Sequence, residues 1–313
     1  MSGEREFFTT RRRLIAMTKH TLLLLFLLLI SLSLFREGTV PPRVLLRIDD
    51  DGMNHSVNLA VKQLAQTGIS FSSSVMFACP WYQEAVANLQ EFPNVSAGVH
   101  LVLNSEWKYY RWGPVLGRSA VPSLVDADGF FLPSIEGFLD SNYKLDEVEK
   151  ELTAQMERAR QSGLKIDYVD YHMLTAVATP QLRGIVEKLA RNYHLGISRY
   201  FDENYQSMFS VPIESKKSEF LKRLENLDRN RVNLIVFHIA QDTPEMRALI
   251  DMNDAKMHSK TEPLVAMHRS KELSVLLSKE FQDMIRNGSI RLITYRDLVK
   301  EQGLAKMKAP PQD

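Results

Sequence analysis

Short apolar runs alternate with stretches of helical period along most of this chain. Val44–Ile48 reads as a strand, and Ser56–Gly68 as a helix closed by its glycine. Ile69–Phe77 and Val95–Leu101 read as strands on either side of a helical Tyr82–Phe92. Leu145–Ser162 has the pattern of a long amphipathic helix, stopped by Gly163. Ile166–His172 is the next strand, and Pro180–Tyr193 a helix with proline in its first turn. Ile197–Tyr200, Leu234–Ile239 and Ile290–Tyr295 are further strands; Glu214–Asp228 and Lys271–Asn287 are the helices before the last two. Strand–helix alternation of this kind predicts a mostly parallel sheet with helical crossovers. About seven strands predict an α/β fold, a distorted or incomplete TIM-like (β/α) barrel. An open doubly wound sheet is the alternative, weakened because no Gly-x-Gly-x-x-Gly follows the first strand.

The first 40 residues have a different pattern. Arg11, Arg12, Arg13 and Lys19 precede a run from Thr21 to Phe35 that is almost all Leu, Ile and Phe. A basic stretch before an apolar run of about 7–15 residues is an export signal. With no clear cleavage site after it, the segment also reads as an uncleaved membrane anchor. The expectation is therefore a signal or anchor over 1–40, a catalytic barrel over 41–304 and a loose tail over 305–313. The product would be exported, periplasmic or extracellular, or held at the membrane.

Of the 313 residues, roughly 260 remain for the fold, the size of one barrel of about 250 residues. The net charge of +1 gives no electrostatic case for nucleic acid. Cys79 is the only cysteine, which excludes an intramolecular disulfide and a thiolate cluster. Two excursions leave strand ends, Asn104–Pro133 and Asp242–His268, where barrel enzymes build their sites.

The candidate chemistry sits at the same ends. Asp49 and Asp50 close the first strand; neighbouring carboxylates repel, and a shared cation relieves the cost. One could bind a metal and the other remain free as a base, with Gly52 letting the backbone turn. Taken alone, the Asp49-Asp50-Asp51 run also fits a helix cap, and Asp51 is the best candidate for such a role. His100, His172 and His238 each end a strand. Strand alternation puts Asp170 on the face of His172, where it could orient a metal ligand or simply line the interior. His55 lies close enough to Asp50 to be considered. Trp107, Tyr109, Tyr110 and Trp112 follow His100, as a sugar platform or as a small satellite core. Together the set has the equipment of a metal-assisted hydrolase.

At these residues the chain resembles the YdjC-like carbohydrate deacetylases, the ChbG group of sugar N-deacetylases. The matching segments are Asp49-Asp50-Asp51-Gly52, Gly98-Val99-His100-Leu101, Asp170-Tyr171-His172, His238, Arg269 before Glu272-Leu273, and Leu292 to Leu298. The resemblance runs in order from about Val44 to Leu298. It implies a divalent cation held by Asp50, His100 and His172, with Asp49 as general base and His238 as general acid. It also implies an N-acetylated sugar or oligosaccharide as substrate, attacked by metal-activated water. Asp170, Arg269, Trp107 and Trp112 would support the site or the substrate. Two imidazoles and one carboxylate suit Zn²⁺, Mn²⁺, Co²⁺ or Ni²⁺, while family members are often assigned Mg²⁺. The rivals are a metal-dependent phosphoester hydrolase, with Arg47 and Arg269 as a partial clamp, and a non-catalytic, membrane-anchored sugar-binding barrel.

Overall fold

A computed structural model describes residues 40–253 and 262–311. The expected leader falls outside the described residues, apart from Val40. Among the described residues no helix is long and apolar enough to cross a membrane.

Among the described residues eight strands form one sheet: β1 Arg43–Asp51, β2 Ser72–Val75, β3 Ser96–Leu101, β4 Ile166–Tyr171, β5 Gly196–Ile197, β6 Asn204–Ser207, β7 Asn233–Phe237 and β8 Arg291–Ile293. Seven follow the order β5-β4-β3-β2-β1-β7-β6, and β8 pairs with β1 off that path. Every pairing is parallel. Along one flank of β1, Arg43–Leu45 pair with β8, and Arg47 and Ile48 pair with β2. Strand β7 takes the other flank. Strands β5 and β6 do not pair, so the barrel is incomplete, as expected.

The helices are α1 His55–Ala65, α2 Tyr82–Gln90, α3 Ile135–Leu139, α4 Leu145–Gln161, α5 Pro180–Asn192, α6 Lys216–Glu225, α7 Pro244–Arg247, α8 Leu264–Leu276, α9 Lys279–Arg286 and α10 Tyr295–Gln302. Strand alternation sorts β1 into two faces. Val44, Leu46 and Ile48 pack outward in the main core, and Leu45 packs inward with Tyr168, Leu234, Ile293, Tyr295 and Leu298. Both faces are covered, which is why Val44–Leu46 read as an unbroken apolar run.

Four expectations change. Strand β6 was missed because it is a polar, part-exposed edge that pairs only with β7. The predicted Ile197–Tyr200 strand stops at Ile197, since Arg199 turns away at φ 71°. The single helix expected over Lys271–Asn287 is two, α8 and α9. Helix α8 starts earlier, and its buried Arg269 and Glu272 interrupt the apolar period that would have announced it. The expected loose tail is docked as far as Lys308: Met307 Sδ accepts from Ile197 N–H at 3.3 Å, and Lys308 N–H donates to Tyr200 O at 2.9 Å.

Candidate metal centre

The C-terminal end of β1 builds the centre by breaking its own alternation. Arg47 and Asp49 face the interior with Leu45. Asp50 would face out, but its backbone is left-handed at φ 67°, and the register with β2 shifts between Ile48 and Asp51. Asp tolerates that conformation better than most residues. Both aspartates therefore reach one cleft. The turn lies at Asp50 as well as at Gly52, which stands at φ 83° with Tyr82 Cα only 3.0 Å from where a Cβ would be. Asp51 stays outside the cleft, accepting from Ser73 Oγ at 2.8 Å, and burial pushes its carboxyl up to about 7.

Asp50 Oδ1 lies 3.5 Å from His100 Nε2 and 3.3 Å from His172 Nδ1. The three donor atoms fall within 4.8 Å of one another, all buried. Ligands about 2.0–2.1 Å from a tetrahedral ion sit roughly 3.3 Å apart. Each ring is oriented by its far nitrogen: His100 Nδ1 donates to Asp170 at 2.9 Å, and His172 Nε2 to Glu106 at 3.0 Å. Asp50 Oδ2 accepts from Arg269 Nη2 at 2.6 Å, while buried Oδ1 takes no hydrogen bond among the described residues. An orphaned carboxylate oxygen facing two pre-aimed imidazole nitrogens is what a divalent cation requires.

Charge balance agrees. Asp49, Asp50, Glu106 and Asp170 face Arg47 and Arg269, leaving two negative charges for a divalent ion to neutralise. Burial alone would raise the Asp50 carboxyl, but Arg269 and the two imidazoles hold it well below its usual range. Burial would lower His100, yet Asp170 and Asp50 carry it up to about 10. Against the same opposing burial, Glu106 and Asp50 raise His172 to about 9. A cation at these nitrogens would compete with the protons that the neighbouring carboxylates favour there.

A second grouping, Asp49, His100 and Asp170, is as tight but already filled. Arg47 grips Asp49 with Nε and Nη2, both at 2.7 Å, and its Nε lies 3.0 Å from Asp170. Its Nη1 donates to Ser198 Oγ at 2.7 Å, and Ser74 Oγ donates to Asp170 at 2.8 Å.

His238 follows β7. Its backbone N–H donates to Glu272 at 2.6 Å, and its Nε2 stands 3.8 Å from Asp49 Oδ2. Its buried Nδ1 has no partner among the described residues, and burial lowers its basicity. The structure thus brings together Asp49, Asp50, His100, Asp170, His172, His238 and Arg269. Trp107 lines the cleft with Arg269 over its ring at 5.5 Å. Trp112 does not line it: its ring is buried, donates to Asn104 O and packs edge-on against His172 at 6.2 Å. His55 turns to Glu84 instead.

Glu106 and Glu272 were missed. Glu106 sits in a loop with no pattern around it, and Glu272 was noticed only as part of the Glu-Leu pair. Arg47 was seen only as part of a phosphate clamp, although a charge inside an apolar strand, on the face of Asp49, signals a buried ion pair.

Fold and centre define a class: incomplete parallel (β/α) barrels with an Asp/His/His centre at the C-terminal strand ends. The chain belongs to the YdjC-like protein family, whose model matches residues 43–287. A carbohydrate deacetylase of Listeria monocytogenes serotype 4a (strain HCC23) is 26% identical over 269 residues, covering 82% of this chain and 100% of that protein. One of Brevibacillus brevis is 27% identical over 261 residues, covering 82% and 99%. A crystal structure from Enterococcus faecalis V583, described as a candidate cellobiose-phosphate cleavage protein, has a TM-score of 0.64 at 24% identity. It covers 82% of this chain and 99% of that one, and the likeness is one of fold.

Proposed function

We propose that this chain is a metal-dependent carbohydrate deacetylase that hydrolyses the acetamide of an N-acetylated sugar. The observation that carries this reading is the convergence of Asp50 Oδ1, His100 Nε2 and His172 Nδ1, with Asp49 and His238 beside them. The named activity of the Listeria and Brevibacillus relatives supports it. Asp50, His100 and His172 hold the cation; two imidazoles favour a transition ion over Mg²⁺. A cation bound there supplies Lewis-acid polarisation of the acetyl carbonyl and a lowered pKa for water.

The remaining steps belong to side chains. Asp49 accepts a proton from the attacking water, with Arg47 keeping both carboxylate oxygens in place. His238 gives a proton to the departing nitrogen, because an amide anion is too poor a leaving group. The C–N bond breaks, and acetate and a free amino sugar leave. Asp170 and Glu106 hold the two ligand rings in the required tautomers. Trp107 offers a face to the sugar.

Acetate release from a panel of N-acetylated sugars, with and without chelator, tests the reading. Metal-dependent release is expected, lost on His238→Ala while the metal is retained. Cleavage of phosphate esters with no acetate release would end it. We also read residues 1–40 as an export signal or membrane anchor. Cell fractionation checks this, and uncleaved protein confined to the soluble cytosol would overturn it.

A further inference from the structure

The outer half of the cleft differs in character from its inner half. The cavity holds about 390 Å³, near the small end of ligand sites, which run from roughly 300 to 1,000 Å³. Its floor is charged and its mouth is apolar. Leu174, Tyr205 and Phe209 all line it and are 42%, 38% and 44% exposed. Single exposed apolar side chains are ordinary, but three around one opening form a patch. The Phe209 ring stands edge-on to His238 at 5.7 Å, so the patch begins beside the reacting end.

Leu174 is presented in an unusual way. Met173 and Leu174 are consecutive left-handed residues, at φ 51° and 63°. That conformation is unfavourable for any side chain with a Cβ, and it persists only where its surroundings impose it. Here His172 on one side is held by Glu106, and Thr175 on the other donates to Asn104. Two polar side chains at the mouth have partners within the protein. Ser207 Oγ accepts from Phe209 N–H at 3.2 Å, and Asn253 Nδ2 donates to Pro133 O at 2.7 Å. A second sugar ring would bring hydroxyls against Leu174 and Phe209, and unpaired hydroxyls are costly to cover. An alkyl or aryl group would instead remove Leu174 and Phe209 from water.

Resting on the deacetylase reading above, we infer that the substrate is amphiphilic. It is an N-acetylated sugar whose substituent at the mouth is an alkyl or aryl aglycone, not a further sugar. The test compares methyl and n-hexyl β-glycosides of N-acetylglucosamine with diacetylchitobiose, using the full chain with its metal. The hexyl glycoside should exceed both others in kcat/KM by about tenfold or more. The double variant Leu174→Ser with Phe209→Ser should cut the hexyl-to-methyl ratio to about threefold or less. Leu145→Ser, an exposed leucine at the start of α4, should leave that ratio as it is. Equal kcat/KM for hexyl and methyl glycosides, or a preference for the disaccharide, overturns the inference. If no substrate releases acetate, the deacetylase reading has failed on its own. Calorimetric binding then decides the amphiphile: it stands if hexyl binds about tenfold tighter than methyl and the double variant abolishes the difference, and it falls otherwise.

Discussion

One step of alternation along β1 takes the barrel interior from Leu45 to Arg47, and with that step its character changes. Below, Leu45, Tyr168, Leu234, Ile293, Tyr295 and Leu298 pack as an apolar layer. Above, Arg47, Asp49, His100 and Asp170 form a layer in which each charge meets a partner. Hydroxyls join the two. Ser74 Oγ bridges Tyr168 and Asp170, and Ser198 Oγ bridges Tyr295 and Arg47. Apolar burial is non-directional and tolerates exchange of shape. Paired charges do not, because losing one partner strands the other in low dielectric. The lower layer fills the barrel interior, and the upper layer holds the chemistry in register.

The strongest way to break this comparison is Asp50→Ala. Turnover should fall by about 10³-fold or more, and bound metal should drop out of stoichiometry. Metal analysis beside kcat/KM checks it; a variant that keeps both would mean that Asp50, His100 and His172 are no metal centre. Arg47→Met leaves Asp49 and Asp170 without their guanidinium and should cost about 3–5 kcal/mol in denaturant unfolding. A loss under about 1 kcal/mol would show that the pairing is not what holds the layer.

Leu298→Ala opens a cavity in the lower layer and should cost about 2–5 kcal/mol while kcat is kept. A collapse of kcat at full metal occupancy would mean that the layers are not separable. Gly98→Ala tests the seam, since a Cβ there would lie 2.4 Å from the Tyr168 ring. The expected cost is about 1–3 kcal/mol, and a neutral result would show that the ring can move.

The smallest effect is electrostatic. Burial raises the Glu203 carboxyl, against the N–H groups and Tyr295 hydroxyl that favour its charge. The folded protein thus holds that proton more tightly than the unfolded chain. Stability from this group is present in acid and is lost as pH rises through the folded value. Glu203→Gln should flatten that part of the stability–pH curve; an unchanged slope would assign the proton elsewhere.

Much of the site was legible because its residues end strands. Asp49, Asp50, His100, His172 and His238 each stand at or beside the C-terminal end of a strand, and parallel strands gather those ends on one face. Asp170 was legible from alternation. The spacing did not reveal Glu106 in its loop. The start of α8 was hidden because Arg269 and Glu272 face inward, where helical periodicity predicts apolar side chains.

What the amino-acid order determined was local: which runs pair as strands, where they stop, and which chemistry stands at each stop. The tertiary structure decided which charges meet. Asp50 enters the cleft only because its backbone turns left-handed. Its second oxygen is taken by Arg269, 219 positions along the chain. Such pairings depend on distances across the barrel. Electrostatics in a dry interior acts through space, so periodicity along the chain carries no record of it.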